Sequence, residues 1–259
     1  MFAKLFTRRR REPTPDGTYV AGRIEPGRRI YCIGDIHGCA DLLDEVAGFI
    51  AEDAASAPGK VDTLFVGDYV DRGPKSDAVI ERLASGDFPT PVIGLIGNHD
   101  DYLLRFLEDA SFFERWRRLG AMETLHAYGV PLVELMRGGS LESAREALQT
   151  RVPQRHLDFL RACRLSYESG DYFFCHAGVR PGLPLDAQSR QDLMTIREPF
   201  LSHPEPLGKI VVHGHTRVAN VDVRANRIAI DTGAYATGVL SCLVMEEDTL
   251  RLYATGQAE

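Results

Sequence analysis

Hydrophobic and polar positions alternate along the chain in a pattern that predicts strands joined by helices. Short apolar runs at 29–34, 61–66 and 91–96 have the length of buried strands. Between them, segments 40–53 and 75–84 carry apolar residues three and four positions apart, which is typical of amphipathic helices. Strands that alternate with helices in this way favour a parallel sheet with right-handed crossovers. The first hundred residues therefore predict the start of an α/β domain.

The middle of the chain changes to a helical pattern, and the second half is richer in strands. The segment from about 101 to 162 keeps helix-like spacing, so we expect a helical insertion packed against the first sheet. Further strands are predicted at 171–176, 209–213, 227–231, 239–246 and 250–254. Because these strands follow one another closely, they favour antiparallel pairing and a second sheet. Residues 29–259 are expected to form one domain, preceded by a flexible tail at 1–28.

Polar side chains follow five of the predicted strands. The loops read GDIHG at 34–38, GDYVDRG at 67–73, GNHD at 97–100, HAG at 176–178 and HGHT at 213–216. In open α/β sheets, ligands bind beyond the carboxyl ends of the strands because the loops converge there. The glycines allow sharp turns and a close approach of the backbone to a ligand. Any one of these polar residues is readily explained as a turn residue, but five such loops together predict a shared site.

The residue types in these loops suit metal ions. Carboxylate oxygens, an amide oxygen and imidazole nitrogens are offered by Asp35, His37, Asp68, Asn98, His176 and His215. This donor set suits divalent ions such as Mn²⁺, Fe²⁺ or Zn²⁺. Six ligands are too many for one catalytic ion with open positions, but they suit two ions that share a carboxylate. Such a pair can hold the attacking and leaving oxygens of a phosphoryl displacement.

Composition excludes several other classes of protein. The net charge of −7 argues against a general nucleic-acid binder, which needs a basic surface. The five cysteines form no CxxC pair, so a disulfide framework or structural zinc site is not expected. No stretch approaches the roughly 18 apolar residues of a membrane span, and a cytoplasmic location is expected. The arginines at 8–11 follow a short apolar start, which predicts a disordered basic tail or a weak electrostatic anchor, not a signal peptide.

The five loop sequences resemble the signatures of the metallophosphoesterases, and within them the bacterial and phage serine/threonine phosphatases of the phosphoprotein phosphatase family. They occur in the family's order between residues 34 and 216. The resemblance implies a calcineurin-like sandwich of two mixed β-sheets flanked by helices. It also implies a hydrolase of phosphomonoesters in which a hydroxide bridging two metal ions attacks phosphorus directly. The expected ions are Mn²⁺, with Fe or Zn as alternatives.

The resemblance also implies a role for each predicted ligand. Asp35 and His37 would bind the first ion and Asp68 would bridge both, while the second ion would be completed by Asn98, His176 and His215. His213 precedes the GHT signature and is expected to be a strand-end residue, not a ligand.

Four further residues match the family's catalytic groups. His99 corresponds to the general acid, Asp71 to the carboxylate that orients it, and Arg72 to a phosphate-binding arginine. The sequence MTIRE at 194–198 supplies Arg197 as a second such arginine, although Thr195 stands where the family usually has tryptophan.

The substrate class remains open between two alternatives at this point. The main expectation is a phosphorylated protein, acted on by a serine/threonine phosphatase, or a small phosphoester. Diadenosine tetraphosphate hydrolases share the metal site and carry stretches like those at 34–39 and 72–76, although Val70 and Asp71 keep the phosphatase form. A third hypothesis is a non-catalytic binding scaffold that has lost its metal site. The presence of all six predicted ligands argues against it.

The helical segment carries the only tryptophan of the chain. Trp116 is expected to pack the helices against the sheet, with a role beside Arg117 and Arg118 in a substrate groove as the alternative. The oligomeric state is not predicted.

Overall fold

The computed structural model describes residues 19–20 and 22–256. The arginines at 8–11 and most of the predicted tail lie outside these residues, so the prediction for them stays a prediction. Tyr19–Val20, in contrast, pair with a strand of the first sheet, and Ile24 is buried in the core, so this part of the predicted tail belongs to the folded domain. No helix in the described part of the chain has the length and apolar character needed to cross a membrane.

The secondary structure alternates strands and helices as far as residue 94 and is helical from there to residue 162. The strands are β1 (Tyr19–Val20), β2 (Arg28–Ile33), β3 (Lys60–Phe65), β4 (Val92–Gly94), β5 (Ser166–Ser169), β6 (Tyr172–Cys175), β7 (Ile210–His213), β8 (Asp222–Val223), β9 (Arg227–Ala229), β10 (Ser241–Glu246) and β11 (Thr249–Ala254). The helices are α1 (Ala40–Ala54), α2 (Ser76–Ala84), α3 (Asn98–Glu108), α4 (Phe113–Arg117), α5 (Ala121–Ala127), α6 (Leu132–Met136), α7 (Leu141–Arg151), α8 (Gln154–Ala162), α9 (Arg190–Thr195) and α10 (Ala234–Thr237). Short 3₁₀ helices cover Ala110–Phe112 and Leu185–Ala187.

The first sheet has the strand order β1-β11-β10-β2-β3-β4. Strands β2, β3 and β4 are parallel, which confirms the predicted βαβαβ start. Strand β10 pairs antiparallel with β2 and with β11. The two last predicted strands therefore join the first sheet and not a second one.

The second sheet has the order β5-β6-β7-β9-β8. Its centre is parallel and only its edge strands are antiparallel, so the expectation of mainly antiparallel pairing was wrong for the centre of this sheet. The reason is the long connection between β6 and β7, which contains α9 and gives the chain room to cross over before the next strand. Both sheets are mixed, as predicted.

The two sheets pack face to face over an apolar core. Ile30 and Leu64 of the first sheet share this core with Phe174 and Val212 of the second. A larger cluster on the other face of the first sheet includes α1, α2 and helices from the segment 98–162. Helices therefore flank the sandwich, and the carboxyl ends of the parallel strands in each sheet carry the polar loops.

Candidate metal centre

The side chain of Asp68, just after β3, lies at the centre of the predicted ligands. Its Oδ2 atom lies 3.3 Å from Nε2 of His176 and 3.6 Å from Nε2 of His37. Nε2 of His176 lies 3.2 Å from Oδ1 of Asn98. His215 joins the same cluster, since its ligand atom and those of Asp68 and His176 lie within 4.8 Å of one another. Residues from both sheets thus meet around one carboxylate.

Asp35 completes the set and has an unsatisfied oxygen. Its Oδ2 accepts a hydrogen bond from the backbone N–H of His215 at 3.0 Å, but its buried Oδ1 has no partner among the described residues. A Cβ atom at Gly214 would overlap Oδ1, so only glycine leaves room for the carboxylate in this position. A buried carboxylate oxygen without a partner is costly, and a cation would satisfy it. The residues therefore fit a metal ion.

Backbone carbonyl groups orient two of the histidine rings. Nδ1 of His37 lies 2.8 Å from the carbonyl oxygen of Val70, and Nδ1 of His176 lies 2.9 Å from that of Val66. A proton on each Nδ1 then donates to the carbonyl, which turns Nε2 toward the cluster as a ligand atom. Such outer hydrogen bonds fix the tautomer and orientation of metal-binding histidines.

The backbone at the site is strained. Six non-glycine residues in the described part of the chain have positive φ, and only Glu247 lies away from the candidate site. The others are His37 (46°), Asp68 (55°), Asp71 (72°), Arg72 (67°) and His215 (62°). Such conformations cost about 1–3 kcal/mol each and concentrate where function requires a particular side-chain direction. The strain supports a functional role for these loops.

Burial and charge divide the histidines into two kinds. Burial lowers the pKa of His37 and of His215 to about 3, so both rings are neutral near pH 7, as metal ligands must be. Burial also opposes a charge on His176, but Asp68 outweighs it and raises the pKa of that ring to about 10. Burial opposes a charge on the Asp68 carboxyl as well, but His176, His99 and His37 together outweigh it and hold the pKa of this carboxyl well below its usual value. Metal binding at His176 would therefore have to displace a proton from this ring, since a histidine ligand must be deprotonated.

His99 and Asp71 form a buried pair beside the cluster. Nδ1 of His99 lies 2.7 Å from Oδ2 of Asp71, and its Nε2 lies 3.7 Å from Oδ2 of Asp68. Burial opposes a charge on His99, but the two carboxylates outweigh it and raise the pKa of the ring. With Nδ1 held by Asp71, only Nε2 faces the site.

The Asp71 carboxylate is held by two donors from the helical segment. The indole Nε1–H of Trp116 lies 2.9 and 3.1 Å from its two oxygens, and Oγ1 of Thr124 donates to Oδ1 at 2.6 Å. Trp116 is fully buried and packs on Phe106, with ring centres 5.2 Å apart. It therefore has the packing position expected of it and also contacts the candidate catalytic carboxylate. Arg117 and Arg118 are exposed.

Replacing Trp116 by phenylalanine removes one of these donors from a buried carboxylate. Hydrogen bonds to charged groups contribute about 1.5–3 kcal/mol, so we expect the free energy of unfolding to fall by about that amount. Because the variant has no tryptophan, urea unfolding should be followed by circular dichroism. Thr124→Val, which removes the other donor, should have a similar effect. An unchanged free energy in both variants would show that these hydrogen bonds are not stabilising.

The two candidate phosphate-binding arginines are placed differently. Arg72 donates from Nη1 to the Tyr235 hydroxyl at 2.9 Å, its guanidinium lies 4.8 Å from the Tyr235 ring centre, and its Nη2 is 3.3 Å from Nε2 of His99. Arg197 follows α9 and is exposed, and its guanidinium has no hydrogen bond or ion pair within the described residues. Its charge is near enough to contribute to the low pKa of His215, after burial and His176. The structure brings Arg72 into the site and leaves Arg197 at its rim.

His213 ends β7, as expected of a strand-end residue. Its ring is buried against Phe200, with centres 4.9 Å apart, and its Nδ1 lies 3.0 Å from the carbonyl oxygen of Gly214. Burial lowers its pKa to about 4.

Sequence reasoning missed three residues at the site. Asp231 is buried and, after burial itself, is the largest cause of the raised pKa of Asp35. It ends the strand predicted at 227–231, so the strand-end signal used for the other loops applied to it too. Asp100, the last residue of GNHD, accepts the backbone N–H of Asp68 at 2.8 Å, and burial raises its pKa to about 7. Tyr235 has no such signal, because it lies 163 positions from the arginine that it holds.

Two curated relatives and one solved structure are similar to this chain. Among curated relatives, the asymmetrical bis(5'-nucleosyl)-tetraphosphatase of Anoxybacillus flavithermus is 26% identical over 232 residues, which cover 82% of this chain and 88% of that protein. The symmetrical bis(5'-nucleosyl)-tetraphosphatase of Dechloromonas aromatica is 32% identical over 152 residues, but the match spans only 44% of that protein and 58% of this chain. A crystal structure of a protein assigned as a diadenosine tetraphosphatase superposes with a TM-score of 0.59 at 20% identity, over 93% of this chain and all of that one.

The structural match confirms the predicted fold, a sandwich of two mixed sheets flanked by helices. The sequence profile of the calcineurin-like phosphoesterases matches residues 28–236, which include every predicted ligand and catalytic residue. The chain therefore belongs to the calcineurin-like phosphoesterase family.

Proposed function

We propose that this phosphoesterase hydrolyses bis(5'-nucleosyl) tetraphosphates with the help of two divalent metal ions. One observation carries the chemistry: Oδ2 of Asp68 lies within 3.6 Å of the Nε2 atoms of both His37 and His176. The buried Oδ1 of Asp35, which has no partner among the described residues, supports it. This arrangement allows one carboxylate to be shared by two ions. The ions would be held by Asp35, His37, Asp68, Asn98, His176 and His215, and they would supply Lewis-acid polarisation and an activated water.

Side chains of this protein would bind the phosphoryl group and protonate the leaving group. Arg72 has the planar donor fork that fits phosphoryl oxygens, and its contact with Tyr235 holds it at the site. When the Arg72 guanidinium binds a phosphoryl oxygen, it would release its contact with Nε2 of His99. This nitrogen would then face the leaving group. Hydrolysis adds water across a P–O bond, and His99 would give its proton to the departing oxygen. Asp71 would keep the ring in the required tautomer.

The substrate class is supported by the relatives more than by the metal site. Both curated relatives named above are bis(5'-nucleosyl)-tetraphosphatases, and one of them matches over 88% of its length. Of the two substrate classes expected from the sequence, the dinucleotide thus has more support than a phosphorylated protein. The metal-site chemistry itself serves either, because both substrates present a phosphoryl group to the same ligands.

A side-by-side assay tests this proposal. Protein stripped of metal and resupplied with Mn²⁺ should hydrolyse diadenosine tetraphosphate with a higher kcat/KM than a phosphoserine peptide at equal concentration. Separation of the products shows which P–O bond is cleaved, since two ADP molecules or ATP with AMP are formed. Activity without added metal would contradict the metal requirement. Preference for the peptide would overturn the proposed substrate and favour a protein phosphatase.

A further inference from the structure

A cavity opens directly beside the candidate metal centre. It has a volume of about 370 Å³ and lies between α3, α4 and α9; we call it the α3–α9 cavity. Asn98, a predicted metal ligand, is one of the residues that line it. The volume falls within the range of about 300–1,000 Å³ typical of small-molecule sites. A ligand in this cavity would therefore extend away from the reacting phosphorus.

The walls of the α3–α9 cavity are basic, although the chain as a whole carries a net charge of −7. Three arginines line it: Arg105, Arg115 and Arg190. Asp101 is the one carboxylate in the lining, and it forms ion pairs with Arg105 and Arg190 at 2.6 Å each. Arg115 is exposed and has no ion pair or hydrogen bond within the described residues. The Arg115 guanidinium is therefore available to bind an anion in the cavity.

The same cavity also has flat aromatic surfaces. Tyr102 and Phe112 are half-buried in its wall, and the Arg105 guanidinium lies 5.5 Å from the centre of the Phe112 ring. Met194 adds a buried apolar contact from α9. Aromatic faces bind nucleobases by stacking, which is tolerant of base identity. A ligand for this cavity combines a planar ring system with several negative charges.

We propose that the α3–α9 cavity binds one nucleoside of the substrate and the phosphates next to it. The base would lie against Tyr102 and Phe112, and the phosphates not being cleaved would contact the arginines. Asn98 connects this subsite to the metal centre, so a chain of phosphates can run from one to the other. This assignment rests on the proposed function and names the residues that would select a nucleotide over a simple phosphoester.

Calorimetric binding of ADP and of inorganic diphosphate tests the subsite separately from catalysis. The wild-type chain should bind ADP at least about 10-fold more tightly than diphosphate, because only ADP carries a base. Phe112→Ala should remove most of that preference. Arg115→Gln should weaken both ligands by about 10-fold, since it removes a charge-assisted contact. Arg117→Gln is the matched control, because it removes a charge from the same helix outside the cavity.

The outcomes separate this inference from the proposed function. Equal affinity of the wild-type chain for ADP and diphosphate, or no binding of ADP, would overturn the subsite. So would unchanged binding in Arg115→Gln, an exposed position at which the fold should tolerate the change. If ADP preference is present and is lost in Phe112→Ala while the wild-type chain leaves diadenosine tetraphosphate intact, the subsite stands and the proposed substrate is wrong.

Discussion

Replacing Asp68 by asparagine is expected to remove most bound metal and to lower kcat by about 10³-fold or more. In the proposed mechanism two ions would supply several kcal/mol of transition-state stabilisation, and each 1.36 kcal/mol corresponds to tenfold in rate. In the wild-type chain, Oδ1 of Asp68 accepts a hydrogen bond from the backbone N–H of His99 at 3.1 Å. Asparagine keeps the shape of the side chain and an oxygen that can accept this bond. It lacks the negative charge and the second oxygen needed to hold two cations. Metal content by elemental analysis and kcat should therefore fall together.

The matched control for this variant is Asp186→Asn, at an exposed position away from the cluster. It should keep both metal content and activity. Full metal content in Asp68→Asn would show that this carboxylate does not bridge the ions, and the proposed division of ligands would have to be abandoned.

His99→Gln is expected to lower kcat while the metals remain bound. General acid catalysis contributes about 10²–10⁴-fold, so a loss of this size is expected for a phosphoserine peptide, whose leaving alkoxide needs a proton. The loss should be smaller for diadenosine tetraphosphate, because its leaving group is a phosphate that is stable as an anion at neutral pH. The comparison of the two substrates therefore isolates proton donation from other effects of the substitution.

Metal analysis decides between two roles for this histidine. The Nε2 atom of His99 lies close enough to His37 and Asp68 for the three to form a metal-binding group. Its Nδ1 bond to Asp71, however, matches a proton donor held in one orientation. Loss of metal in His99→Gln would identify a ligand and not an acid. His126→Gln, at an exposed position, controls for removal of a histidine elsewhere.

The ends of the strands were predictable because a pattern of a few neighbouring residues marks them. An apolar run followed by glycine and polar residues marks the point where a buried strand leaves the core, and five such points contained all six candidate ligands. Asp231 also ends a predicted strand, but it was not predicted as a site residue. The pairing of β10 and β11 with the first sheet was not predictable in this way, because partner choice depends on contacts between residues about 200 positions apart.

The sequence by itself determined the α/β class and the candidate ligands, since both depend on local patterns of residue type, and its loop signatures carried the resemblance to the metallophosphoesterases. Only the tertiary structure decided how the site is supported. The donors to Asp71 come from the helical segment about 45 to 53 positions away, and Tyr235 reaches Arg72 across 163 positions. It also created the α3–α9 cavity, whose lining comes from helices far apart in the chain. Such contacts arise from packing, which burial of apolar surface drives without regard to sequence distance.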